Sequence, residues 1–213
     1  MPTLHYYPGN ASMAPHLVLE ELGVPFELAL VDRTVNAHRS PDYLRLNPNG
    51  LIPVLVDGEL VLYESAAICL HLVDTHAQAG LAPAPGSIER AHFYKWLVWL
   101  TNTLQASLIV YFYPERWADD AAAIAQVKAH AEARIGTLLD QLEAQLAGHG
   151  GPWLLGADYG AADAYAFMLC RWTRGFHRPA RSLAQLGPYL QRLLARPALQ
   201  RVLERERIAA PFV

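Results

Sequence analysis

The stretch "LNPNGLIPVLVDGELVLYESAAICLHLVD", residues 46 to 74, decides the fold. Asp57-Gly58 lies between two runs in which apolar residues alternate, and Asp-Gly in that setting is the strongest short-range signal for a β-hairpin. "NPNG" before the first run is typical of a turn, and "ESAAICLHLVD" after the second has the pattern of a helix. The stretch therefore predicts a connection, two antiparallel strands and a helix, in that order.

A strand-helix-strand unit precedes this stretch. "TLHYY" (3–7) has the pattern of a short strand that Pro8-Gly9 ends, and "FELALVD" (26–32) alternates like a half-buried strand. The segment between them has one apolar helical face and stops at Gly23, a good C-terminal signal. Two strands joined through a helix pair in parallel. With the hairpin, the chain predicts one four-stranded sheet that contains two parallel and two antiparallel strands.

Strand signals disappear after this region. The Ala-, Pro- and Gly-rich segment 79–87 is interpreted as a linker between an α/β domain over 1–78 and an all-α domain over 88–213. Apolar residues at spacings of three and four predict a long amphipathic helix over 119–147. Further helices are predicted over 89–113, 161–174, 183–195 and 197–206.

Composition excludes several functions. Hydrophobic residues make up 53% of the 213 and charged residues 17%, as in a well-packed protein. A net charge of −3 does not favour a nucleic-acid partner, and no apolar stretch is long enough for a membrane span. Cys69 and Cys170 form no motif and, without a signal-like N-terminus, they indicate a reducing, cytoplasmic setting. We expect no metal.

Two local features suggest a site for a peptide-like ligand. Pro53 enters a strand, where its missing N–H is tolerated. If the Ile52-Pro53 bond were cis, the Ile52 backbone would be free to pair with a passing peptide, although the local sequence alone favours an ordinary trans bond. Glu64-Ser65 lies where strand gives way to helix, so the helix N-terminus and Ser65 would hold a carboxylate and Glu64 an ammonium group. A plain Ser N-cap is the alternative.

Three stretches together resemble the glutathione transferases, and the resemblance covers essentially the whole chain. They are "YYPGNASMAPHLVLEELG" (6–23), residues 46–74 and "WLLGADYGAADAYAF" (153–167), and their look is closest to the bacterial beta class. The resemblance implies a thioredoxin-like N-terminal domain and a C-terminal helical-bundle domain. It also implies glutathione as co-substrate, a homodimer, and a detoxification role in which the glutathione thiol is conjugated to small hydrophobic electrophiles.

The resemblance assigns roles to individual residues. Ile52-Pro53 matches the family's cis-proline element, which pairs with the cysteinyl part of glutathione, and Glu64 and Ser65 match the pair that holds the γ-glutamyl end. His38 matches a histidine near the glycine carboxylate, with an exposed loop histidine as the alternative. Asp163 matches an aspartate that caps a buried helix, where Gly160 replaces the usual Ser or Thr.

The chain also departs from the family. Ala11 occupies the position of the beta-class cysteine, so mixed-disulfide chemistry with glutathione cannot run through this residue. Leu51 replaces a polar residue before the Ile-Pro pair, and Gln105-Ala106 replaces a His-Lys pair.

The thiol of glutathione needs a donor that stabilises its thiolate, because a free thiol with a pKa of about 8.5 is mostly protonated at neutral pH. Ser12, at the start of the first helix, is the first candidate, and Tyr6 and Asn10 or a backbone N–H are alternatives. Tyr7 points to the opposite face of its strand from Tyr6. The electrophile pocket is predicted to include six residues of the helical domain: Gln105, Leu108, Tyr111, Phe112, Trp172 and Phe212.

Two other functions remain open at this point. One is a specialised glutathione-dependent reaction, namely dehalogenation, ether cleavage, isomerisation or peroxide reduction. The other is a non-catalytic ligand-binding role on the same fold, since fold alone does not fix function.

Overall fold

A computed structural model describes all residues from 1 to 213. Its four strands form one sheet in the order β2-β1-β3-β4, in which β1 pairs with β2 in parallel and β3 is antiparallel to both β1 and β4. The strands are β1 (Thr3–Tyr6), β2 (Glu27–Leu30), β3 (Val54–Asp57) and β4 (Leu60–Tyr63). The predicted mixture of parallel and antiparallel strands is confirmed. Gly58, at φ +60°, is in the two-residue turn that joins β3 to β4.

Helices cover both faces of the sheet. The helices α1 (Met13–Leu22) and α3 (Ser65–Thr75) pack against each other over one face, and α1 is buried along most of its length. On the other face, Tyr43 of the short helix α2 (Pro41–Leu46) joins a small cluster with Val31, Ile52 and Val54.

The sequence analysis did not predict α2, which has only six residues. Two signals for it were present. Ser40 is the N-cap, with its hydroxyl accepting from the Tyr43 N–H at 3.2 Å, and Pro41 occupies the first helical position.

From residue 77 onward every element is helical. The predicted helix 89–113 is a continuous helical run: α4 (Ile88–Trp99), a π-helical segment (Leu100–Gln105) and α5 (Ala106–Phe112). The remaining long helices are α6 (Ala121–His149), α7 (Ala161–Trp172), α8 (Leu186–Leu194) and α9 (Pro197–Arg205). None of the helices combines the length and apolar character that a membrane crossing requires.

The helix α7 forms the centre of the helical half and is buried from Ala161 to Arg171. The Asp163 carboxylate accepts hydrogen bonds from the Gly160 N–H at 2.9 Å, the Leu154 N–H at 2.8 Å and the Tyr189 hydroxyl at 2.8 Å. A Cβ at Gly160 would lie 2.8 Å from the Leu81 carbonyl oxygen, so the close approach of the Leu81 backbone explains why no Ser or Thr is present there.

Candidate functional site

The site is built around the bend between β1 and α1, where the chain turns sharply at Pro8-Gly9. The Asn10 N–H donates to the Tyr7 carbonyl at 3.1 Å and closes the turn. The Ser12 side chain holds the same turn from inside, because its Oγ accepts from the Tyr7 N–H at 3.3 Å and donates to the Tyr7 carbonyl at 3.1 Å. Ser12 is fully buried, so its hydroxyl is engaged in the interior of the protein.

Residues of the helical half fix this bend from outside. The Glu206 carboxylate, directly after α9, accepts from the Gly9 N–H at 2.7 Å and pairs with His16 Nδ1 at 2.7 Å. The Trp172 indole N–H donates to the Gly9 carbonyl at 3.0 Å. Both backbone polar groups of Gly9 are therefore held by the helical half, and the position of the bend depends on the contact between the two halves of the chain.

A cleft of about 460 Å³ opens between the bend and the helices. On the sheet side it is lined by the bend residues Gly9, Asn10 and Ala11. The Asn10 Oδ1 accepts from the Ala11 N–H at 2.6 Å, while its Nδ2 has no hydrogen-bond partner in the chain. This side-chain amide is therefore a free donor at the cleft surface.

The Ile52-Pro53 segment forms another part of the wall. The Ile52-Pro53 peptide bond is cis, and Ile52 lines the cleft with neither its backbone N–H nor its carbonyl in a hydrogen bond of the structure. The carbonyl of Leu51 accepts from the Tyr43 hydroxyl at 2.8 Å and from the Asn47 side-chain amide at 2.8 Å, which anchors the segment to α2. An open backbone at a fixed position suits pairing with an extended peptide.

Glu64 and Ser65 lie beside the bend and outside the lining of the cleft. The Ser65 hydroxyl is buried and donates to the Ala11 carbonyl at 3.0 Å. Glu64 is exposed and adopts a positive φ of 71° at the N-cap of α3. The pair thus starts a helix next to a cleft residue, with one carboxylate free in solvent.

The third wall is basic. Arg33, His38 and Arg39 line it, and Nδ1 of His38 is buried without a partner. Burial, together with the neighbouring Arg33 and Arg39, lowers the pKa of the His38 imidazole below its ordinary value. The guanidinium groups therefore supply the positive charge of this wall, and the histidine contributes as a neutral hydrogen-bonding group.

On the helical side, Gln105, Ile109 and Phe112 line the cleft with Trp172. Their spacing of four and three residues places them on one helical face. Gln105 accepts a hydrogen bond from the Tyr165 hydroxyl at 2.5 Å, which fixes its amide. This wall presents apolar and aromatic surface with one oriented polar group.

The structure brings six of the predicted residues to the cleft: Asn10, His38, Ile52, Gln105, Phe112 and Trp172. Pro53 is buried directly behind Ile52. Neither Ser12 nor Tyr6 is brought to the cleft, since Tyr6 packs against the main core.

Three predicted pocket residues are corrected. Leu108 is fully buried in the core and does not line the cleft, although it is three residues from Gln105 and four from Phe112. Tyr111 stacks on Phe176 with ring centroids 4.1 Å apart, and Phe212 packs against the core, so neither lines the cleft.

Several cleft residues were missed by the sequence analysis. Tyr113 accepts a hydrogen bond from Arg33 Nη2 at 2.9 Å and carries the Arg116 guanidinium 4.1 Å above its ring. Arg174 completes the basic rim. The spacing from Gln105 would have indicated Ile109, but no sequence signal marks these widely separated arginines.

A sheet of this topology joined to a helical bundle, with an open-backbone segment facing the cleft between them, defines the class of glutathione transferases. Residues 2–74 match the family model "Glutathione S-transferase, N-terminal domain" and residues 109–205 the model "Glutathione S-transferase, C-terminal domain". The chain belongs to the glutathione S-transferase family, and it is an enzyme of that kind.

Known relatives and solved structures are similar to this chain along nearly its whole length. The chain is 33% identical over 203 residues to glutathione S-transferase GST-4.5 of Xanthomonas campestris pv. campestris, covering 95% of this chain and 98% of the relative. A glutathione transferase homologue from Sulfitobacter, solved with bound glutathione, superposes with a TM-score of 0.87 at 26% identity, over 96% and 98% of the two chains. A bacterial beta class glutathione S-transferase from Sphingomonas chungbukensis gives 0.84 at 28% identity, over 97% and 100%.

Proposed function

We propose that the protein conjugates the thiol of glutathione to small hydrophobic electrophiles in this cleft. The observation that carries the proposal is the free Asn10 amide in the bend before α1, which faces a cleft with an apolar wall. The Sulfitobacter relative with bound glutathione supports the choice of co-substrate.

Glutathione has groups that complement three parts of the site. Its cysteinyl backbone pairs with the open N–H and C=O of Ile52, as an added strand does. Its glycine carboxylate lies at the basic wall of His38 and Arg39, where charge-assisted hydrogen bonds are available. Its γ-glutamyl end reaches the N-terminus of α3, where the backbone N–H groups from Ser65 onward bind the carboxylate and Glu64 the ammonium, while the Ser65 hydroxyl stays bonded to the Ala11 carbonyl.

This placement puts the thiol over the bend. The Asn10 Nδ2 group then donates to the sulfur and favours the thiolate, which is the nucleophile. The thiolate attacks the electrophilic carbon, a C–S bond forms, the leaving group departs with the bonding electrons, and the thiol proton has already passed to solvent. The protein supplies no thiol of its own, because residue 11 is alanine and Cys69 and Cys170 are buried.

The donor is tested by titrating the thiol of bound glutathione through its thiolate ultraviolet absorbance. Removing one hydrogen bond to a charged group costs about 1.5–3 kcal/mol, or about one to two pKa units. Asn10→Ala is therefore expected to raise the pKa of the bound thiol by that amount and to lower kcat/KM at neutral pH. Asn10→Asp, with the same shape and a negative charge, is expected to raise it further.

Ser12→Ala is the matched control. It removes the two bonds to Tyr7 and is expected to cost about 1–2 kcal/mol of stability while leaving the bound thiol's pKa unchanged. The opposite result, a raised pKa in Ser12→Ala alone, would make Ser12 the donor. Glutathione binding by calorimetry without turnover of a broad electrophile panel would make the protein a binder and overturn the enzymatic proposal.

We also infer that the protein forms a homodimer. The edge strand β4 exposes Leu60, Val61 and Tyr63, and α4 exposes Tyr94 and Val98. Apolar side chains exposed on an uncovered edge strand and on a neighbouring helix are a liability in a monomer. Light scattering after size exclusion is expected to give twice the 23.6 kDa mass of the chain, and a monomer at micromolar concentration would contradict the inference.

A further inference from the structure

Four arginines line the cleft, and none of them has an acidic partner. These cleft arginines are Arg33, Arg39, Arg116 and Arg174. The ion pairs of the structure involve other arginines, and no Asp or Glu lines the cleft. Carboxylate-free guanidinium groups around one cavity create a positive local potential in a protein whose formal net charge is −3.

The cleft arginines are divided between the two halves of the chain. Arg33 and Arg39 flank His38 on the sheet side, where the proposed function places the glycine carboxylate of glutathione. Arg116 and Arg174 belong to the helical half and lie in the wall that contains Phe112 and Trp172. Glutathione thus accounts for the first pair and leaves the second pair without a counter-charge.

The second pair is oriented by its neighbours and retains free donors. Arg116 stacks over the Tyr113 ring, with its guanidinium carbon 4.1 Å from the ring centroid. Arg174 donates one Nη1 bond to the Arg171 carbonyl at 3.2 Å. A guanidinium has five N–H donors, so both groups keep donors for a planar anion such as a carboxylate.

A third cation lies behind them. Arg171 is buried, with its Nη1 3.5 Å from where a Gly9 Cβ would be, and its Nε has no partner. Burial and the neighbouring Arg174 lower the pKa of the Arg171 guanidinium to about 10, so it remains charged at neutral pH. The Glu206 carboxylate, which accepts from the Gly9 N–H at the same bend, opposes this shift and offsets the Arg171 charge, so the positive potential of the cleft comes from the cleft arginines.

We propose that the electrophile of this enzyme carries a negative charge: an aromatic or conjugated carboxylate whose anionic group lies between Arg116 and Arg174 while its apolar body contacts Phe112 and Trp172. This inference rests on the proposed glutathione conjugation and narrows its substrate class. The carboxylate is a spectator in the reaction. With an aryl chloride, the glutathione thiolate forms the C–S bond, the C–Cl bond breaks, chloride leaves with the electron pair, and the carboxylate is unchanged.

The test compares two electrophiles of the same shape, 4-chloro-3,5-dinitrobenzoate and the neutral 4-chloro-3,5-dinitrobenzamide. Each kcat/KM is divided by the uncatalysed rate constant with glutathione, which removes the different intrinsic reactivity of the two rings. The wild type is expected to prefer the benzoate by about 10-fold or more, the size of one charge-assisted hydrogen bond. The preference is expected to shrink as salt is added, since both guanidinium groups are exposed at the rim.

Variants of the two arginines of the helical half test which side chains cause the benzoate preference. Arg116→Gln and Arg174→Gln are each expected to reduce the benzoate preference several-fold, and the double variant is expected to abolish it. Arg192→Gln, which removes an exposed arginine bonded to the Pro152 carbonyl outside the cleft, is the control for net charge and is expected to keep the preference.

Two results would overturn the inference and leave the proposed function intact. One is equal normalised turnover of benzoate and benzamide by the wild type. The other is a benzoate preference that survives in the double variant. If neither substrate is turned over although glutathione binds, the result would instead count against the conjugation reaction itself. Failure of the further inference and failure of the proposed function are therefore distinguishable.

Discussion

Glu206 is predicted to hold the bend between β1 and α1 in place from the far end of the chain. Its carboxylate is 1% exposed, accepts from the Gly9 N–H at 2.7 Å and pairs with His16 Nδ1 at 2.7 Å. Glu206→Ala removes both partners at once and leaves a buried N–H and a buried imidazole nitrogen unsatisfied. Breaking a buried pair on one side costs about 3–5 kcal/mol, and two hydrogen bonds to a charged group sum to a similar value.

The isosteric variant separates charge from hydrogen bonding. In Glu206→Gln, the side-chain oxygen still accepts from the Gly9 N–H, and the amide donates to His16 Nδ1 when the imidazole is neutral. We therefore expect Glu206→Gln to lose about 1–2 kcal/mol at neutral pH.

The assay is urea unfolding together with steady-state kinetics at saturating electrophile. Beyond the loss of stability, Glu206→Ala is expected to lower kcat/KM for glutathione by about 10–100-fold, because a misplaced reacting group costs that much. Glu204→Ala, an exposed carboxylate two residues earlier without an ion pair, is the control and should change neither quantity. A Glu206→Ala protein that unfolds within about 1 kcal/mol of wild type, or that keeps kcat/KM, would refute the reasoning.

Three further outcomes are expected. Trp172→Phe keeps an aromatic ring in the cleft wall but removes the donor to the Gly9 carbonyl, so kcat/KM should fall about 5–10-fold, as loss of about 1 kcal/mol implies, while circular dichroism stays unchanged. Burial raises the pKa of the Asp163 carboxyl to about 6, although three hydrogen bonds oppose the shift. The folded protein therefore holds this proton more tightly than the unfolded chain, and the free energy of unfolding should decrease from about pH 4 to pH 6. Urea unfolding of Asp163→Asn across that range should show no such decrease. The variant should also be less stable than the wild type at every pH in the range. Burial raises the pKa of the Cys69 and Cys170 thiols, the latter to about 12, so a thiol reagent should modify neither in the native protein and both in denaturant; rapid native labelling would contradict the buried placement.

The fold was predictable because its signals are local. Asp57-Gly58 sets the hairpin, and the apolar spacing of α6 sets the longest helix, so each element could be identified without knowing its partners. The helix α2 escaped because six residues give too little periodicity to detect. The resemblance to a family then supplied the arrangement of the elements, which no local pattern contains.

The site was less predictable, because a residue's place in the sequence does not determine what its side chain bonds. Ser12 is at the start of α1 as expected, yet its hydroxyl closes a turn with the Tyr7 backbone. Asn10, two residues earlier, is the side chain with a free donor at the cleft. Leu108 is three residues from Gln105 and four from Phe112, yet it is fully buried in the core, so helical spacing alone does not separate the cleft wall from the core.

The positive cleft of an acidic protein follows from how its charges are paired elsewhere. Glu20 and Glu21 of α1 form ion pairs with Arg196, Arg201 and Arg205 at the α8–α9 end of the chain. Although burial acts in the opposite direction, hydrogen bonds from Arg201 and Arg205 hold the pKa of the Glu20 carboxyl below its ordinary value. These carboxylates are thus neutralised on the side of α1 that packs against α9, and the cleft arginines are left without acids. Since charges act over about 10 Å at 0.1 M salt, a ligand in the cleft experiences these unpaired guanidinium groups and not the net charge of the chain.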